Sequence, residues 1–173
     1  MNIFFLDENP QKAAQSLCDK HVVKMVLETA QMCSTAVQQS FQLDPLPSTY
    51  KPAYVNHPMT LWVGEKWDNM NWALNHGVAI AKEYTHRYGR IHKSQKVLED
   101  IAEHYFPVLD WPHAFRISTP PLCMPDVCKE GMRDDIGWLH SVRFVDAYRL
   151  YYNEYKRPFA KYTKRERPEW LKK

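Results

Sequence analysis

Five polar residues, His21, Lys24, Glu28, Gln31 and Thr35, are spaced three, four, three and four apart. At about 100° per residue they fall within an arc of roughly 80° on one helix face. Their neighbours are nearly all apolar: Val22, Val23, Met25, Val26, Leu27, Ala30, Met32, Cys33, Ala36 and Val37. A helix that is apolar around most of its circumference is a buried helix. Ionisable groups on it must meet partners or open onto a cleft, because unpaired buried charge is costly. We therefore expect a long buried helix with its polar stripe facing a cleft. The competing reading is an amphipathic surface helix whose wet face is this stripe. His21 and Glu28 lie two turns apart and can reach one substrate from the same wall, as an imidazole and a carboxylate.

Other polar residues are less pointed. His57, before Pro58, is read either as a helix cap or as a residue facing the cleft. Glu83, His86, Arg87 and His92 read as the solvated end of a second long helix. There is no phosphate-cradling glycine loop and no Ser or Cys nucleophile elbow. The eight histidines form no HxxxH or HExxH pair, so no metal is expected. Cys18 and Cys33 read as core thiols. Cys123 and Cys128 are a close pair with no second pair to complete a zinc site.

Several elements must position these groups. A short extended segment, Ile3 to Leu6, opens the chain. Asn9-Pro10 reads as a helix start, with helix running to about Gln39 and a break near Asp19. A Pro-rich loop covers Leu43 to Tyr54. A second long helix starts at Asn56-His57-Pro58 and keeps helical spacing to Gly89, which can cap it. Ser94 opens a shorter helix that Pro107 ends. Segment 107–135 is proline-rich and irregular. A last helix spans about Leu139 to Tyr155, and Arg157-Pro158 ends it. No alternating strand pattern recurs, so the expected fold is all-α: one domain over residues 1–173, a compact helical bundle around one long buried helix, with long loops.

The net charge of +3 is unevenly distributed. Lys156 to Lys173 carries eight Lys or Arg and two Glu, leaving the rest of the chain net acidic. Phe159, Tyr162 and Trp170 lie between these charges. Such a tail suits a phosphate backbone and stacking on bases, with a packed-down C-terminus as the alternative. The N-terminal apolar run is too short for a signal peptide, and no stretch approaches a membrane span, so a cytoplasmic protein without membrane contact is expected.

In four places the sequence resembles the pyrimidine-dimer DNA glycosylases, the phage UV-repair endonuclease V and its bacterial relatives. Met1-Asn2-Ile3-Phe4-Phe5-Leu6 is similar to the family's opening segment. His21 with Glu28-Thr29 resembles the helix carrying the family's catalytic glutamate. Tyr54-Val55-Asn56-His57-Pro58 resembles a run in bacterial members, and Arg167-Pro168-Glu169-Trp170 resembles the opening of the phage enzyme's DNA-contacting tail. The resemblance implies a bundle of three main helices and a glycosylase with lyase activity. The α-amine of residue one attacks the sugar C1′ and forms an imine, and the glutamate stabilises the charged sugar. The DNA is kinked and a base is flipped out.

On this pattern Met1 is the nucleophile, since Asn2 is bulky and Met1 is expected to be retained. An α-amine ordinarily titrates at about 8, so a useful fraction is neutral at pH 7 and no cofactor is needed. Glu28 and His21 complete the catalytic set. Asn2, Lys24, Gln31 and His57 line the substrate pocket. Lys161, Lys164, Arg165, Arg167 and Trp170 contact DNA, read as double-stranded, and the protein acts as a monomer. The phage enzyme has arginines where this chain has Asn2, Leu27 and Gln31. The lesion stays open: a pyrimidine dimer, another damaged base or a modified base. Two other readings are a nucleotide- or base-modifying enzyme using the same cleft without an imine, and a non-catalytic nucleic-acid-binding helical domain.

Overall fold

The computed structural model describes residues 1–105, 116–129 and 143–173. Among these the fold is all-α. It comprises α1 (Pro10–Gln15), α2 (Asp19–Thr35), α3 (Pro58–Glu65), α4 (Trp67–Tyr88), α5 (Gln95–Tyr105) and α6 (Arg143–Tyr155). The expected start of the last helix at Leu139, and parts of segment 107–135, lie outside the described residues.

Local chemistry explains most boundaries. The Asn9 carboxamide accepts from the Gln11 and Lys12 amides, with Pro10 in the first turn of α1, which satisfies N–H groups that the helix leaves free. At Cys18 the backbone is extended, so α1 and α2 are separate helices. A single π-helical turn, Ala36–Ser40, continues α2. The Pro58–Gly89 stretch is two helices rather than the one expected. Lys66 is fully extended (φ −159°, ψ 161°) and breaks the ladder between α3 and α4. Gly89, at φ 68°, ends α4 as expected.

Helix α4 packs against α1 and α2, with α3 and α5 alongside. Two glycines permit the close approaches. A Cβ on Gly77 would meet Thr29 Cγ2 at 2.9 Å, so α4 approaches α2 just beside Glu28. A Cβ on Gly64 would lie 2.6 Å from Ser40 Cβ, so α3 approaches the end of the π-helical turn equally closely. Phe5 stacks on Trp72 at 4.4 Å and meets Phe144 edge-on. Ile3, Phe4, Phe5 and Leu6 are all buried. Burying each such side chain stabilises the fold by about 1.5–3 kcal/mol, so the opening segment is threaded firmly through the core.

The long helix is not buried all round. Val23 and Leu27, expected inside, are 43% and 40% exposed, and Lys20 and Lys24 share that open face. The stripe therefore borders an open surface that mixes apolar and basic side chains.

Candidate active site

The chain start and the middle of α2 meet. Oε2 of Glu28 lies 3.9 Å from the Met1 α-amine and accepts the Asn2 backbone N–H at 3.0 Å. Its Oε1 pairs with Lys24 Nζ at 2.9 Å, one helical turn away. Glu28 itself is buried, while the Lys24 side chain is 64% exposed. The carboxylate thus has cationic and hydrogen-bonding partners on both oxygens, which offsets its desolvation.

The terminal residue is anchored by its side chain. Met1 is 1% exposed at the side chain although the residue as a whole is half-buried, so its open surface is main chain, where the amine sits. The Thr60 hydroxyl of α3 approaches the Met1 thioether at 3.6 Å. Asn2 is held at both ends of its carboxamide: Nδ2 donates to the Cys123 carbonyl, and Oδ1 accepts from the Ile3 N–H and faces the Tyr148 hydroxyl, whose proton it shares with the Pro121 carbonyl. Segment 121–123 and helix α6 therefore fix the direction in which the amine points.

His57 caps α3, its Nδ1 accepting the Met59 amide at 3.1 Å. Burial lowers its pKa, the α-amine lowers it further and Glu28 opposes both. The imidazole therefore stands within the field of the amine and the carboxylate. Loop 50–57 lies along the C-terminal half of the stripe. Thr35 Oγ1 bonds both the N–H and the carbonyl of Ala53, and the Tyr50 amide donates to Ser34 Oγ. Gln31, on the same stripe, is half-buried.

His21 occupies a different position. Its ring stacks on Phe4 at 4.4 Å, and its Nδ1 lies 2.6 Å from the Tyr152 hydroxyl. That hydroxyl also accepts the Cys18 N–H, so it ties the imidazole to the start of α2. Burial, with Lys156 and Lys24 adding to it, lowers the pKa to about 3. The structure thus brings Met1, Asn2, Lys24, Glu28 and His57 together and turns His21 toward the aromatic wall behind them.

The end of α4 is not the solvated terminus expected. Glu83 and Arg87 are 4% and 2% exposed. Arg87 pairs with Asp19 at 3.0 Å and with Glu83, and donates to the Leu17 and Gln15 carbonyls. Arg165 of the tail joins by a two-point contact to Glu83. These cations and the Arg165 hydrogen bonds outweigh burial and hold the Glu83 carboxyl below its ordinary range. Asp19 also accepts from the Thr163 backbone and hydroxyl. Trp170 packs on Arg149 and Tyr152. Lys161, Lys164 and Arg167 remain exposed. The tail is thus strapped across the break between α1 and α2, with Arg165 spent on the fold.

The sequence reading missed Thr60, Tyr148 and the Cys123 carbonyl. Tyr148 lies at an apolar position of α6, and nothing in the helical spacing separates a core tyrosine from one that orients Asn2.

The family model described as pyrimidine dimer DNA glycosylase matches residues 1–96, more than half of the chain, and the chain belongs to that family. The matched span contains Met1, His21, Glu28 and His57 and ends before the tail. No match was found among curated proteins or solved structures. Among the described residues no helix is long and apolar enough to cross a membrane.

Proposed function

We propose that the protein is a DNA N-glycosylase with lyase activity, acting on pyrimidine dimers in duplex DNA, with Met1 as nucleophile and Glu28 as its acid–base partner. The observation that carries this reading is the 3.9 Å separation between the α-amine and Glu28 Oε2. The neutral amine attacks C1′, and the bond from C1′ to the base breaks with its electron pair leaving on the base. Glu28 balances the positive charge on the sugar and relays protons as the ring opens to an imine. Loss of a C2′ proton then expels the 3′ phosphate. Water hydrolyses the imine and frees the amine.

The other residues support this chemistry. Asn2 aims the amine through its side-chain hydrogen bonds. Lys24 holds Glu28 and offers a cation to a phosphate. Gln31, one turn along α2 from Glu28, and His57, within the field of the amine, are offered to the substrate. His21, bonded to Tyr152 and stacked on Phe4, acts as a positioning residue for the opening segment. Lys161, Lys164 and Arg167 offer cations to the DNA backbone. Borohydride trapping on duplexes carrying a cyclobutane dimer tests the reading: a covalent adduct at Met1 is expected. Base release without any trappable adduct would favour a glycosylase that uses water instead.

A further inference from the structure

Tyr54 is the most exposed aromatic side chain among the described residues, at 66%. Its backbone is left-handed, with φ 52°, a conformation that a bulky residue rarely adopts. Both flanks are fixed. Ala53 is bonded through its N–H and its carbonyl to Thr35, and the Tyr54 carbonyl accepts the His57 N–H at 2.9 Å. The backbone that carries the exposed ring is thus pinned on both sides, three residues from the imidazole that feels the amine. Its neighbour Val55 is 40% exposed. Among the described residues no hydrogen bond or ring contact holds the phenol. Trp67, by contrast, stacks on Phe41.

The amine is seated on an anchored residue against a buried carboxylate, so the sugar must come to the protein. Flipping a nucleotide out at the lesion opens a gap in the stack about one base thick, about 3.4 Å. Proteins that unstack DNA fill such gaps with flat or apolar side chains. We propose that Tyr54 enters the duplex beside the lesion and occupies that gap, so that the loop before α3 is a wedge that makes intact duplex a substrate. This rests on the DNA-glycosylase reading above.

Tyr54→Gly is the cleanest ring deletion, because glycine adopts φ 52° without strain. The measurement pairs borohydride trapping with the fluorescence of 2-aminopurine placed opposite the lesion, for wild type, Tyr54→Gly and Tyr54→Phe. Tyr54→Gly should trap dimer-containing duplex about tenfold more slowly, lose the fluorescence rise on binding and melt no lower than wild type. On a single-stranded abasic oligonucleotide it should trap at the wild-type rate. Tyr54→Phe should behave as wild type on both. Equal fluorescence and equal duplex trapping in Tyr54→Gly would overturn the wedge, as would an equal slowing on both substrates. A Tyr54-dependent fluorescence rise without trapping by wild type would keep the wedge and sink the imine mechanism instead.

Discussion

The backbone N–H of Asn2 donates to the same carboxylate oxygen of Glu28 that faces the Met1 amine. The second residue therefore registers the first, and the carboxylate is oriented before any substrate arrives. Glu28→Gln keeps an oxygen to accept the Asn2 N–H but loses the charge. Strand cleavage should fall by about 10²–10⁴-fold, the usual contribution of acid–base catalysis, with DNA affinity little changed. Single-turnover cleavage beside a gel-shift titration checks this. Equal losses in both would give Glu28 a binding role.

One added residue before Met1 would displace the amine by about 3.5 Å and disturb the Thr60 contact. Reaction at C1′ depends on placement at that scale. Trapping should disappear while the melting temperature changes little, since Ile3 to Leu6 stay buried. Full activity in the extended protein would exclude the terminal amine as nucleophile.

The basic tail divides into two groups. Changing Lys161, Lys164 and Arg167 together to Ala should flatten the salt dependence of DNA binding, by about one unit of slope for each lost phosphate contact. Arg165→Ala should act on stability instead, because Glu83 loses a two-point partner. A cost of about 1–3 kcal/mol is expected, read by denaturant melts of the free protein.

Acid should loosen the fold through its neutral buried histidines. His21 is lowered to about 3 and His76 to about 4 from an ordinary value of 6.5, burial being the main cause in each. Below about 6.5 the unfolded chain takes up protons that the folded chain refuses. The stability these groups contribute is complete above that pH and is lost as pH falls toward 4 and then 3. Melting temperature measured from pH 7 down to 4 should fall steadily, and His76→Gln should make the curve flatter.

Local patterns carried the helical class, the caps at Asn9-Pro10 and Gly89 and the existence of α2. They carried less of what needs distant partners. Apolar spacing runs straight across Lys66, so periodicity alone could not show the break there. Glu83 and Arg87 have the composition of a wet helix end, and their partners Asp19 and Arg165 lie 68 and 82 residues away. Val23 and Leu27 read as core because burial was inferred from residue type, whereas the open face of α2 is set by which helices pack beside it. For the site, the spacing of His21 and Glu28 gave a shared helix face but not the separate environments they occupy. The approach of the chain start to Glu28 came from the family resemblance, since nothing in the first residues encodes where that segment docks.

Met1 is seated on α3 and Glu28 rides on α2, so the gap between amine and carboxylate is a gauge of how closely those two helices sit. Gly64, against Ser40, is one of the points that sets that spacing. The proposed site is therefore open to genetic change from behind. On the proposed mechanism, Gly64→Ala should lower strand cleavage by widening that gap. Selection for regained ultraviolet survival should return Ser40→Gly, a compensating loss of atoms on the facing turn.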